Sequence, residues 1–337
     1  KRKVYKDPQS SEGLSTKGSL QDRNITKTRL YTNQVLRFNK DFDKHSVNGV
    51  LGYEWIDEIY EDFTQTGTGF VSGFEIAEVT TSAQSVKGIK KEIAKQSYFM
   101  NANYAYNHRY LVGFSFRRDG SSNFGTDSKY GNFFSISGGW NIHQEEFFEA
   151  DWAQQLKVRA SYGSVGRSPD EEYPQYGLYK VINTNKYNGN PGALISQLEN
   201  PDLTWEKTYT AGVGVDAILF NRLNVNVDFY HKRTTDLLYE VPQPGVIGVS
   251  KYWQNVGEVK NIGFEALVSY DILRNKDFNW SISANIATNK NEITELFDDD
   301  KPILVSNGGA GVQGALDKRM MVGHNIDTWY GAEWAGV

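Results

Sequence analysis

Apolar and polar residues alternate one by one along much of this chain. In Leu223–Tyr230 the apolar set is Leu223, Val225, Val227 and Phe229, with Asn224, Asn226 and Asp228 between them. Trp280–Thr288 sets Trp280, Ile282, Ala284 and Ile286 against Ser281, Ser283 and Asn285. Leu156, Val158, Ala160 and Tyr162 oppose Lys157, Arg159 and Ser161. Tyr209, Ala211, Val213, Val215, Ala217 and Leu219 oppose Thr208, Thr210, Gly212, Gly214 and Asp216. Successive side chains of a strand point to opposite faces, so each segment has one apolar and one wet face, which helical spacing does not fit. Noisier segments of the same kind are Thr28–Phe38, Val47–Asp57, Tyr98–Tyr106, Tyr110–Arg117, Phe134–Asn141 and Phe264–Asp271, with a weaker one near Trp329–Trp334. The expectation is an all-β chain of about eleven strands and no helix of ordinary length.

The connections decide what kind of β chain. Asn39–Lys44, Asn107–Arg109, Phe220–Arg222 and Leu273–Asp277 are short, and Ile142–Gln155 is intermediate. Between them fall the long stretches Ile59–Ala94, Arg118–Lys129, Gly163–Leu203, His231–Val256 and Asn291–Asp327. Long and short alternate strand after strand. A soluble sheet with one solvated face shares the residue alternation but not this loop asymmetry. A transmembrane antiparallel up-and-down β-barrel shows both, with short periplasmic turns and long extracellular loops. Lys157, Arg159, Asp216 and Asp228 then face a wet lumen. Tyr53, Trp55, Tyr104, Tyr106, Tyr110, Trp140 and Trp280 fall near segment ends, where aromatic girdles lie.

Composition removes other classes. With no cysteine among 337 residues, disulfide frameworks, zinc–thiolate sites and cysteine nucleophiles are excluded. A net charge of -5 argues against a nucleic-acid protein. The mean hydropathy of -0.56 and the lack of a long apolar run exclude membrane helices but not membrane strands. The opening Lys1–Tyr5 has no apolar signal-peptide core, and an odd strand count is awkward for a single-chain barrel. Both features read as an internal piece of a larger barrel.

Chemical motifs give little. Gly309–Gly314 spells G-x-G-x-x-G after the short apolar run Ile303–Val305, but no βαβ unit follows to receive a dinucleotide. Gly163-Ser164-Val165-Gly166 falls short of a nucleophile elbow, because Tyr162 stands where glycine is needed. The five histidines lack ligand spacing. No enzyme and no cofactor is expected. Asp298–Asp300, and Asp170-Glu171-Glu172 with Asp202, have the oxygen donors that Ca²⁺ takes, although solvated loop carboxylates are the plainer reading. Arg117 and Asp119 are expected to brace a loop. The long loops carry aromatic residues suited to stacking on sugars or peptide side chains: Tyr173, Tyr176, Tyr179 and Tyr187 reaching Trp205, and Tyr252 with Trp253. The candidate substrate-binding set is Tyr173, Tyr176, Tyr179, Trp205, Tyr252 and Trp253; packing between loops or against a partner is the alternative.

Several runs resemble SusC/RagA-type TonB-dependent outer-membrane transporters. They are YNHRYLVGFSFRRDGSSNFG, KYGNFFSISGGWNI and LKVRASYGSVG within Tyr98–Gly166, then NPDLTWEKTYTAGVGVD and FNRLNVNVDFYHKRTTDLL across Asn200–Leu238. NVGEVKNIGFEALVSYDI and FNWSISANIATNKNEITEL continue to Leu296, and WYGAEWAGV closes the chain. The resemblance covers Asn24 to Val337 and is weakest in the long loops. It implies about half of a 22-stranded barrel in the outer membrane of a Gram-negative, Bacteroidetes-type bacterium. It further implies a plug domain, a TonB box and last strands outside this sequence, so that residues 1–337 are a partial barrel domain. The implied function is active import of an oligosaccharide or peptide, with a SusD-like lipoprotein capping the extracellular face and the TonB complex engaged through the N-terminal region. A passive pore or adhesin barrel, and a soluble carbohydrate-binding β protein, are the alternatives.

Overall fold

The computed structural model describes the chain except residues 70–72, 74–75, 77–78, 83–84, 126, 170, 172, 244–245, 247, 250, 306–316 and 332–337, with backbone only at 182–187, 242, 298–299, 304–305 and 317. Strands run in order β1 (Arg2–Lys6), β2 (Ser19–Phe42), β3 (His45–Thr68), β4 (Ser85–Tyr106), β5 (Tyr110–Ser121), β6 (Tyr130–Asn141), β7 (Ala153–Arg167), β8 (Leu178–Tyr187) and β9 (Asn190–Gln197). They continue as β10 (Glu206–Leu219), β11 (Leu223–Thr235), β12 (Leu238–Pro242), β13 (Lys251–Asn255), β14 (Glu258–Arg274), β15 (Asn279–Glu295), β16 (Ile303–Val305), β17 (Asp317–Met320) and β18 (Trp329–Tyr330). One four-residue helix spans Phe297–Asp300.

Eleven strands form a single antiparallel sheet in the order β1-β2-β3-β4-β5-β6-β7-β10-β11-β14-β15. Neighbours in this sheet are neighbours in sequence once the loop hairpins β8–β9 and β12–β13 are set aside, which is an up-and-down order. The eleventh place belongs to β1, not to Trp329–Trp334: Trp329–Tyr330 pairs with β17 in a separate three-stranded sheet, and residues 332–334 lie outside the described residues.

The turns match their chemistry. Asn107 and His108, and Phe220 and Asn221, are consecutive residues with φ between 48° and 55°. That geometry closes a two-residue hairpin whose twist suits the flanking strands. Asparagine tolerates it readily; Phe220 holds it while 61% exposed, its ring 6.0 Å from Trp152. At the other end the strands are longer than the sequence pattern shows. β2 and β3 have 24 residues each and β4 has 22, where about 9–11 suffice to cross a bilayer. The stretch 59–94 therefore shrinks to a connection at 69–84. The connections 168–205 and 236–257 are likewise partly folded, each carrying its own hairpin.

The chain divides into two compact units, Lys1–Asn33 with Glu54–Gln96, and Gln34–Tyr53 with Ser97–Val337. In the first, Leu20 is buried and Asp62 accepts a bidentate ion pair from Arg23. In the second, packed cores occur at the long-loop end: Phe124, Phe133, Leu203 and Trp205 form one, and Val259, Ile293, Leu296 and Ile303 another. Between the turns and these cores the sheet is a single layer.

Candidate functional site

Register turns the alternation of single strands into two continuous faces. Across β5, β6, β7, β10, β11 and β14, Val112 stands opposite Gly138, then Ala160, Val213, Phe229 and Phe264. One row nearer the turns, Tyr110, Trp140, Val158, Val215, Val227 and Ala266 follow one another, and β15 adds Ile286. Val112, Val213, Phe229 and Ile286 are 48–58% exposed, although they sit in the middle of their strands. An unbroken apolar surface of this kind belongs against lipid.

The opposite face is a concavity of about 670 Å³ lined by Asn48, Asn103, Lys157, Arg159, Asp228 and Glu265, among others. At its centre the Arg159 guanidinium donates to Asp216 at 3.1–3.2 Å and to Asp228 at 2.7 Å. Asn226 Nδ2 donates to Asp216 Oδ1 at 3.0 Å. Gly214 makes this reach feasible, since it stands opposite Arg159 on one side and Asp228 on the other. A Cβ there would lie 2.6 Å from the Arg159 Cζ and 2.7 Å from the Asp228 Oδ1. The missing side chain lets one arginine span three strands. Partly solvated pairs of this kind contribute roughly 0–1 kcal/mol each, so the network orders a surface more than it stabilises a fold. Glycine serves aromatic rings in the same way: Tyr230 lies over Gly263, and Phe99 over Gly52. Amide clusters flank the ions, with Asn103 donating to Asn48 and Asn101 at 2.9 and 2.8 Å, and Asn291 donating to Asn261 at 2.9 Å.

At the long-loop end three connections knit together. Asn123 Nδ2 donates to the Glu171 carbonyl at 3.0 Å, and Gln175 Nε2 donates to the Ser122 carbonyl at 2.9 Å. Asn200 Nδ2 donates to the Trp253 carbonyl at 2.8 Å; Asn255 Nδ2 donates to the Thr204 carbonyl, and its Oδ1 accepts from the Thr204 N–H, both at 2.7 Å. Arg117 braces this end as expected, donating to Asp119 at 2.6 Å. Trp205 is only 7% exposed, its ring 4.7 Å from Phe124 and its Nε1 donating to the Lys129 carbonyl at 3.3 Å. It is therefore the floor of the loop assembly, and Trp253 packs against the same core while donating Nε1 to Glu171 at 3.0 Å. Tyr173 and Tyr176 lie with ring centroids 6.4 Å apart. Tyr176 and Tyr179 are 53% and 69% exposed. Tyr252 is half-buried and accepts a hydrogen bond from Gln254. Two of the six candidates thus present open rings, two are tied to the core, and two stand between.

At the turn end aromatic side chains collect. Phe42, His45 and Tyr104 stack in sequence, with the His45 ring nitrogen 2.8 Å from the Tyr104 hydroxyl. The connection 142–152 folds back so that Glu145 accepts from Trp140 Nε1 at 2.9 Å and pairs with Arg109 at 3.2 Å. A hydrogen bond from Tyr110, with those from Trp140 and Arg109, holds the Glu145 carboxyl below the ordinary carboxylate range.

Of the loop acids, Glu171 is engaged by Trp253, and Asp300 accepts from the Leu296 N–H at 2.8 Å. Asp170, Glu172, the side chains of Asp298 and Asp299, the Tyr187 ring and Gly309–Gly314 lie outside the described residues. Among the described residues no group of three or more ligating side chains could hold a metal. Packing between loops, the alternative reading of these aromatics, is present at Trp205 and Trp253, and its signal in the sequence is the isolated apolar pair Leu203 and Trp205 in a polar stretch.

The family model "TonB dependent receptor-like, beta-barrel" matches residues 3–334. TonB-dependent receptor P39 of Formosa agariphila is 38% identical over 78% of this chain and 26% of its own length. TonB-dependent receptor SusC of Bacteroides thetaiotaomicron is 36% identical over 69% of this chain and 24% of its own. The solved structure of the RagAB peptide transporter superposes with a TM-score of 0.85 at 30% identity, covering 95% of this chain and 35% of that one. The chain thus spans a quarter to a third of the length of these relatives.

Proposed function

Because this chain belongs to the family of TonB-dependent receptor-like β-barrels of the outer membrane, we propose that the whole protein actively imports an oligosaccharide or a peptide, in company with a SusD-like surface lipoprotein and the TonB complex. The family is one of transporters and receptors, not of enzymes. The observation that carries the reading is the two-sided sheet: an apolar face suited to lipid, backed by a polar concavity ordered around Arg159. A wall of ions, amides and tyrosines suits hydroxyl- or amide-rich cargo too large for free diffusion. Likeness to the RagAB peptide transporter favours the peptide class.

Tyr176 and Tyr179 are the proposed first contacts for cargo, with Tyr173, Tyr252 and Trp253 beside them; Trp205 acts from beneath by holding the loops. The test is uptake of labelled peptides and labelled oligosaccharides by cells carrying the full-length protein. Uptake of one class that stops when the proton gradient is collapsed is expected. Uptake that persists supports a passive pore instead. Replacing Tyr176 and Tyr179 together with alanine should weaken cargo binding by about tenfold, the size of a modest aromatic hot spot, as read by titration of the purified protein.

A further inference from the structure

On five strands the lipid-facing row runs into a base near its long-loop end, whereas β6 and β7 reach Asn132 and Ser164 there. On β11 the outward residues are Val225, Val227, Phe229 and His231, and then Arg233. On β10 they run from Ala217 through Ala211 and Tyr209 to Lys207. On β14 Phe264 and Ile262 lead to Lys260, on β15 Ile286 and Thr288 lead to Lys290, and on β5 Phe114 and Phe116 lead to Arg118. Arg233 lies ten residues beyond Leu223 at the turn end, and ten tilted strand residues climb about 25 Å, the height of the apolar band of such barrels. These bases therefore sit at its outer edge, on the long-loop side.

Pairing brings them together. Arg233 stands directly opposite Lys260, Tyr209 opposite Arg233, and Lys290 opposite Ile262 one step inward. Like charges face to face on neighbouring strands repel unless an anion lies between them. Carboxylates answer part of this charge. Glu258 takes Arg233 at 2.6 Å, with Glu295 nearby; Glu292 takes Lys290 at 3.1 Å and faces Lys260 in register. Among the described residues no ion pair or side-chain hydrogen bond engages the ammonium groups of Lys207 or Lys260, although the Glu258 and Glu292 carboxylates lie near enough to attract Lys260.

We propose that Lys207, Arg233 and Lys260, flanked by Lys290, seat the phosphate groups of lipids in the outer leaflet. The site is continuous with the apolar band, so a phosphorylated lipid can use its chains and its headgroup together, which a free phosphate ion cannot. Each base near an anionic surface strengthens such binding about three- to fivefold.

The test uses the full-length protein in detergent, titrated with lipopolysaccharide, with the same lipid after enzymatic dephosphorylation, and with inorganic phosphate. Lys207→Gln with Lys260→Gln should weaken lipopolysaccharide binding about tenfold, and dephosphorylation of the lipid should weaken wild-type binding to a similar extent. Millimolar inorganic phosphate should not compete, and Lys276→Gln in the turn at the opposite end should change nothing. Affinity kept within twofold in the double variant, equal binding of the dephosphorylated lipid, or full competition by inorganic phosphate would each overturn the proposal. If the double variant does not reach the heat-resistant folded form, Lys260→Gln alone should lower the affinity about threefold.

Discussion

Val213 and Gly214 are adjacent on β10 and differ in almost everything that surrounds them. Val213 is 54% exposed and lies in a row of apolar side chains that crosses strand after strand without a charge. Gly214 is enclosed by the Arg159 guanidinium and the Asp228 carboxylate. One face is selected by its solvent alone, so its residues are interchangeable as long as they are apolar. The other is selected by its neighbours, and a missing side chain there is as specific as a present one.

The largest effect is expected on the outer face. Val213→Arg should destabilise the folded barrel by about 2–4 kcal/mol in a bilayer, seen as a shifted urea-unfolding midpoint of the full-length protein. Arginine at Ser161, whose neighbours are Ser137 and Gly212, should shift it by under about 1 kcal/mol. Equal shifts would erase the distinction between the faces. On the inner face, Gly214→Val should cost about 1–3 kcal/mol and separate Arg159 from Asp228. Gly212→Ala meets nothing closer than 3.6 Å and should be near neutral. The smallest effect concerns the edge where both faces end. The Glu145 carboxyl is held below its ordinary range, so what it contributes is present above the unfolded carboxylate pKa and fades as pH falls through the folded value. Glu145→Gln should flatten this acid dependence of the unfolding midpoint, the variant melting slightly below the wild type at neutral pH and together with it at low pH.

The faces were legible in the sequence because lipid enforces the alternation residue by residue, and Lys157, Arg159, Asp216 and Asp228 fall on the wet side as read. Past the bilayer that enforcement ends. Ile59–Thr68 continues β3 with mixed character on both faces, so its hydrogen-bonded ladder left no pattern. β1 is too short for a period to register. The Arg159 network is a property of register: Asp216 and Asp228 lie on different strands, and only the pairing of β7, β10 and β11 brings both within reach. The sequence shows the three charges on one face and a glycine at 214 between them, but not their register. Trp205 was equally ambiguous, because an aromatic ring in a polar loop can serve as a platform or as a foundation.

The interlocked loops carry a consequence for engineering. Asn200 and Thr204 on one connection, and Trp253 and Asn255 on the other, exchange hydrogen bonds over a shared aromatic floor. Grafting either connection alone into a related barrel would strand half of those partners. Residues 168–205 and 236–257, together with Phe124 and its flanks, therefore have to move as one piece, and Leu237 and Tyr239 tie that piece to the second core as well, while the tip of the hairpin β8–β9 is the natural place to insert a tag.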